Sequence, residues 1–542
     1  ALTPLGKIKL GQPDEEPEYS WFSWIGMLFA AGIGVGFVFW GVAEPVLYYL
    51  DTPVGYEPGT RQAAIAAFRY SALHWALHPW AIFSIIGLSL AYVLYRKNKP
   101  ALISSAFYPI LGERINGWIG QTIDILAVIA TCTGVATTFG LSAVQITGGL
   151  SYLTPIPNHA FVQIIIIAIV SVLFMLSAAS GVDKGIKILS NVNIIIAALL
   201  FLFVLIVGPT LFIAELFVTT LGGYITNLIP MSLTLTPFSE SEWLGTNTIF
   251  FWAWHISWAP FVGLFIARIS KGRTVREFIS GVLIVPSLVA ILWFTTFGGT
   301  ALHLEMFGSG GIAETVLKQV ELALFITLAE LPFSSITGFL SILLIFIFFI
   351  TSADTATYVL GTITSRGHLN PSLMVKIIWG VLIAGIASVL LLSGEGGLGA
   401  LQTASILAAF PFAIIMTFMI ATLLISFIRE RQAQQRIHRR DEIKHVTQEV
   451  KEEVLDDVSA EVKDQMIENI TTDDSFRDHM LKDMKEDVIE NVTSDFIEEI
   501  REDIKDSIKE ELHDEVKKEV YEEVRSEILD EVKKDNHPPK KD

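Results

Sequence analysis

Ten apolar stretches with at most one Asp, Glu, Lys or Arg each, at about 21–50, 64–95, 122–152, 160–181, 189–214, 245–267, 277–300, 335–363, 373–393 and 401–428, have the length to cross a bilayer. Lipid offers no partner for backbone polar groups, and helices satisfy their own, so the chain is predicted to be all-α and polytopic. Hydrophobic residues make up 52% of the chain and charged residues 17%, an average over two unlike parts. Residues 429–542 hold 36 Asp and Glu against 21 Lys and Arg, so the acidity belongs to the tail and the first 428 residues are close to neutral.

Basic residues fall on alternate connections: Lys7 and Lys9, then Arg96, Lys97 and Lys99, Lys184 and Lys187, Arg268 to Arg276, Arg366, and Arg429 to Arg440. The positive-inside rule then puts both ends of this chain in the cytoplasm of a cell-membrane protein. Connections near Asp51, Asn158, Glu215 to Glu242, Glu305 to Glu330 and Glu395 are expected outside. The chain opens at Ala1 in a polar segment without a signal peptide, and is expected to be a piece of a longer protein. Cys132 is the only cysteine, so no internal disulfide or zinc spacing exists, and a core thiol is expected.

The spans divide into an N-terminal segment 1–20, a first group of five at 21–215, an external interfacial connection at 216–244, a second group of five at 245–428 and an acidic helical tail at 429–542. The first member of each group has an odd composition. Span one carries Gly26, Gly32, Gly34, Gly36 and Gly41 before Glu44-Pro45. Alternate glycines let backbone leave the helix and free carbonyls for an ion, or merely allow close helix contact. Span six carries Trp252, Trp254, His255, Trp258 and Pro260. Interrupted segments at corresponding places of two halves point to the binding site of an inverted-repeat transporter. Indole faces attract quaternary ammonium, so the tryptophans suggest a box for a methylated cation; the plain alternative is tight packing.

Span two adds His74, Trp75, His78, Pro79, Trp80 and Phe83, with Trp75 and Phe83 on one helical face and Trp80 at its flank. Pro79 cannot donate to the carbonyl of Trp75, which loosens that turn. The histidines read as hydrogen-bonded packing residues ahead of proton carriers. Span eight has Thr351, Ser352, Asp354, Thr355 and Thr357. Their oxygens suit a hard sodium ion, and Asp354 is a functional candidate by its depth; hydroxyls also simply bond back to the preceding turn.

In the tail an apolar residue recurs every fourth position from Val446 to Ile470 and from Met480 to Val532. On a helix such a stripe advances about 40° per step, which disfavours a heptad coiled coil. A break is expected at Thr471 to Ser475. A regulatory or self-associating element and a partnerless charged extension both fit. Asn469-Ile-Thr and Asn491-Val-Thr match a glycosylation pattern that a cytoplasmic location makes accidental.

Ala30 to Gly36 followed by Trp40-Gly41 and Glu44-Pro45, His74 to Trp80, and Trp252 to Phe261 running into Ala267 to Arg273 together resemble the betaine/carnitine/choline transporter family. Ile350 to Asp354, Ser104 to Phe107 and Asp124 to Ala127 add to the likeness, which covers about 7–428. The resemblance implies a five-plus-five inverted-repeat core preceded in the family by two further spans, which this chain lacks. It also implies a secondary transporter, often a homotrimer, that takes up compatible solutes under osmotic stress.

By position, the resemblance implies a solute box from Trp75, Trp80, Phe83, Trp254, His255 and Trp258 beside Gly32, Gly34 and Gly36. Betaine carriers have Tyr in place of Phe83, Trp in place of His255 and a signature Trp in place of Asn247. A neutral His255 would offer a carboxylate a hydrogen bond instead, whereas a protonated one would repel a cation. The same resemblance implies sodium ligands from the backbone of Ala30, Ile33 and Phe348 and the hydroxyls of Thr351 and Ser352. At a second sodium site Thr131 and Phe261 match but Val135 replaces a threonine, so one sodium ion is easier to support than two. Gly36 stands where proton-coupled choline carriers carry Asp.

The expected protein is thus a sodium-coupled symporter of the bacterial cytoplasmic membrane for a small zwitterionic or cationic osmolyte. Its other partners would be membrane lipids and its own copies, with no nucleic acid. A sodium-independent carnitine- or choline-type exchanger, a proton-coupled choline or ectoine carrier and a membrane osmosensor remain alternatives. No nucleophile elbow, phosphate loop or metal cluster suggests an enzyme.

Overall fold

The computed structural model describes residues 3–32, 34–179, 183–393 and 398–470. Among them the architecture is helical throughout, apart from one isolated bridge between Lys9 and Thr274. Ile33 and the tail beyond Ile470, including the expected break at Thr471, lie outside the described residues.

The first span is two helices, α1 (Trp21–Gly32) and α2 (Val35–Leu50), with Gly34 in extended conformation as the cap of the second. The second span also breaks, into α3 (Arg61–Trp75) and α4 (Leu77–Ala91), at Ala76. Its cause is local: Pro79 has no N–H for the carbonyl of Trp75. A short turn α5 (Tyr108–Leu111) leads to the long α6 (Trp118–Leu153), which packs against α2 and later elements. Next come α7 (Ala160–Ala179) and α8 (Asp183–Val207).

Two expectations need correction here. Span five ends at Val207 rather than 214, because Gly208-Pro209 breaks it; the next helix, α9 (Thr210–Leu233), runs into the stretch expected as the connection. Pro209 suits the position before a new first turn but cannot continue an old one. Nor is span six interrupted by its proline. A π-helical turn at Gly245–Ile249 leads into α10 (Phe250–Ile269), which runs unbroken through Pro260. Proline is tolerated inside a membrane helix where neighbours take up the freed groups.

Beyond it lie α11 (Val275–Phe307), the short α12 (Ile312–Lys318) and α13 (Ala323–Ala329), which pack on α2, then α14 (Ser334–Thr364), α15 (Leu373–Leu392) and α16 (Leu398–Ile470). Nine helices among the described residues have the length and composition to cross a membrane. The second half of span one, Val35–Leu50, and Ala160–Leu176 of α7 are shorter apolar helices, and α9 is long enough to be counted with the nine.

Two contacts fix the site's frame. Helices α4 and α10 pass closely at Gly87 and Gly263, where a methyl on Gly263 would meet Ile86 at 2.5 Å and the backbone of Gly87 at 3.1 Å. At the end of α4, Arg96 and Lys97 pair with the nearly buried Glu430 of α16 at 2.5 and 2.6 Å. The N-terminal segment is bonded to the α10–α11 connection through Leu10 N to Arg273 O at 2.7 Å and Val275 N to Ile8 O at 2.9 Å. Cys132 is buried, as expected of a core thiol. The chain divides into two units, Ala1–Gln435 and Arg436–Asp542, and the division falls close in sequence to the compositional boundary.

Candidate functional site

All six expected box residues join one chain of ring contacts. Trp80 meets Phe83 with centroids 5.6 Å apart, Phe83 meets His255 at 5.8 Å, His255 meets Trp75 at 5.1 Å, Trp75 meets Trp254 at 5.9 Å and Trp254 meets Trp258 at 5.5 Å. Trp258 in turn touches Phe261 at 5.8 Å. Helix α4 supplies two of these residues, α10 four and the end of α3 Trp75, so the close α4–α10 crossing brings the cluster together. Edge-to-face geometry dominates, as the aromatic quadrupole prefers.

Trp75, Trp80, Phe83, Trp254 and His255 are buried against one another, whereas Trp258 is partly exposed. The indole N–H groups are fixed from α6: Trp254 donates to Gly134 O at 3.2 Å, and Trp258 donates to Gly134 O at 3.2 Å and to Thr138 Oγ1 at 3.1 Å. His255 Nδ1 is buried and makes no hydrogen bond among the described residues. Trp252 lies on the other side of α10, stacked on His78 at 5.2 Å, and takes no part in the cluster.

Gly36 acts by absence of a side chain. A methyl there would sit 2.7 Å from the Trp75 ring and 3.2 Å from Trp254. Of the two readings of the glycine run, close approach thus holds for Gly36, and departure from the helix holds at Gly34.

Below Trp258 opens a cavity of about 130 Å³, lined by Gly34, Trp258, Phe261 and Phe348, by Thr351, Ser352 and Thr355, and by Ser190 and Asn193 with apolar neighbours. A cavity of about 150 Å³ in another protein takes up benzene, so the space suits a small solute. Thr351 donates its hydroxyl proton back to Ile347 O at 3.0 Å and to Phe348 O at 3.1 Å. That leaves the oxygen lone pairs of a cavity-lining hydroxyl available to a cation. Ala30 and Gly32 belong to the last turn of α1, just before the break.

Of the residues expected at a second sodium site, Phe261 lines this cavity and Thr131 does not; the buried Thr131 hydroxyl donates to Ala127 O at 2.8 Å, in the preceding turn of its own helix, as Thr351 does in α14. Asp354 is likewise not a lining residue.

Asn193 was missed by the sequence reading. It is 2% exposed, and both polar atoms of its side chain are without a hydrogen-bond partner among the described residues. A buried amide left unsatisfied is costly, and here it faces a cavity that could hold its partner. The signal available in the sequence was Ser190, Asn191 and Asn193 within an otherwise apolar span.

Residues 1–432 match the family model described as BCCT, betaine/carnitine/choline family transporter. The chain belongs to the betaine/carnitine/choline transporter family. It is 51% identical over 434 residues to the glycine betaine transporter OpuD of Bacillus subtilis, covering 80% of this chain and 84% of that one. The ectoine/hydroxyectoine transporter of Virgibacillus pantothenticus is 47% identical over 423 residues, 78% of this chain and 84% of that one. Glycine betaine transporter 1 of Vibrio parahaemolyticus is 41% identical over 437 residues, 80% and 83% of the two chains. This betaine/carnitine/choline family protein is a multi-pass membrane transporter of small solutes, not an enzyme.

Proposed function

We propose that this protein imports a betaine-type compatible solute by sodium symport. The observation that carries the reading is the shared cavity: Trp258, an end member of the aromatic cluster, and Phe348, Thr351 and Ser352, the expected ion ligands, border one space at the break between α1 and α2. An ion held between the broken first span and α14 would favour the same arrangement of α2 that packs Gly36 against Trp75 and Trp254. Coupling follows when ion and solute both select that conformation. The two halves, 21–215 and 245–428, would then rock against each other as inverted repeats around the site. In this reading both ends of the chain are cytoplasmic, the molecule works as a homotrimer in the bacterial cytoplasmic membrane, and uptake answers osmotic stress.

His255 puts a ring with hydrogen-bonding nitrogens where betaine carriers have an indole, which supports solutes with a carboxylate over choline. The ectoine/hydroxyectoine transporter among the relatives keeps a cyclic zwitterion in the candidate set. Uptake of glycine betaine, ectoine, carnitine, choline and proline into vesicles holding the purified protein tests the reading. Glycine betaine or ectoine uptake should require external sodium. Uptake that persists in its absence, or that follows a proton gradient alone, defeats the symport assignment.

A further inference from the structure

We propose that Glu44 is a positioning residue that holds Trp75 in the solute box and makes it follow α2. This rests on the reading of Trp75 as a box residue. Glu44 is fully buried in α2, two and a half turns beyond the glycine break, and no solute or ion ligand has been assigned to it. One carboxylate oxygen accepts the Trp75 indole N–H at 2.6 Å, and the other lies 2.6 Å from His74 Nδ1. The other ring nitrogen of His74 reaches Thr248 Oγ1 at 2.9 Å, in the π-helical turn before α10. Glu44, directly and through His74, thus links three segments beside the box: α2, the end of α3 and the start of span six.

The environment explains why the link is stiff. His74 is also fully buried and stacks on Phe251 with centroids 4.9 Å apart, so neither polar partner has water as an alternative. A buried carboxylate stripped of its donors is strongly penalised, so it holds them closely. Trp75 also packs on Gly36 of α2, where an added methyl would lie 2.7 Å from its ring, and meets Trp254 edge-on. Any shift of α2 must therefore carry the indole with it, and the box registers what happens at the Gly32–Val35 break.

The test uses the full chain in lipid vesicles, with glycine betaine as the probe and tryptophan fluorescence reporting its binding. Glu44→Leu should raise the Kd about tenfold, and Trp75→Phe, which has no N–H to hold, should do so by a similar factor. The double variant should bind no more weakly than Trp75→Phe alone, a non-additivity that a general loss of stability would not produce. Glu44→Gln keeps an acceptor for the indole and should stay within about threefold of the parent. Should Glu44→Leu not be recovered folded, Glu44→Asp serves, because its shorter side chain cannot hold both donors; at least a fivefold loss is expected. Additive effects, an unchanged Kd in the Glu44 variants beside a weakened Trp75→Phe, or a Glu44→Gln loss as deep as that of Glu44→Leu each overturn the assignment. Trp75→Phe without effect overturns the box itself, and this role with it.

Discussion

The Trp258 indole nitrogen of α10 lies 3.1 Å from the Thr138 hydroxyl of α6. A tryptophan at the cavity wall is therefore fixed by its polar edge, the N–H, which leaves the orientation of the ring set by α6.

Thr138→Val removes one of the two acceptors of that N–H and leaves Gly134 O, so solute affinity should fall by about two- to fivefold. Trp258→Phe loses both bonds and ring area, and should cost more than about tenfold. Binding isotherms for glycine betaine check the order of the two variants.

Gly36→Ala would place a methyl 2.7 Å from Trp75, and the two indoles must move. Transport should drop at least about tenfold with the protein still folded. Gly26→Ala, where a methyl meets nothing within 4 Å, should leave uptake unchanged and favour the helix by about 0.5–1 kcal/mol. Paired uptake and thermal-melting measurements separate the two glycines.

Thr351→Val preserves shape and removes the hydroxyl. Its hydrogen bonds run back into its own helix, whose backbone ladder remains, so stability should change by less than about 1 kcal/mol. The sodium concentration for half-maximal uptake should rise about tenfold. Solute affinity at saturating sodium should stay near the parent value, as sodium titrations of uptake would show.

Asn193→Leu replaces an unsatisfied buried amide with an apolar group of similar size. Melting temperature should hold or rise, while uptake falls at least about fivefold. A variant that is both unstable and active would contradict the placement of Asn193 at the working face of the cavity.

At the polar end of the molecule, the hydrogen bond from Lys271 holds the Glu15 carboxyl below the usual carboxylate range. The folded value is depressed, so this contribution to stability is present above the ordinary carboxylate range and is lost as pH falls through the lowered value. The gap in melting temperature between the parent and Glu15→Gln should be small near pH 7 and close toward pH 3.

Much of this was legible in the chain. The break after Gly32 and the loosened turn before Pro79 follow from local composition and helical spacing, whereas the gathering of Trp75, Trp254 and Trp258 was implied by the family resemblance. What was not legible depends on neighbours. Pro260 looked like an interruption, but packing around α10 carries the helix through it. Trp252 sits in the same indole-rich run as Trp254 yet turns to His78, because two residues along a helix is about 200° around it. Asn193 gains its meaning only from α10 and α14 across the cavity.

The divided first span has an electrical consequence. None of the residues lining the cavity carries a formal charge. At its wall, however, the carbonyl end of α1 and the amide end of α2 meet within a few residues, presenting partial charges of opposite sign. A dipolar molecule and a small cation can be oriented there by the backbone itself, so this cavity needs no fixed charge that would trap either one.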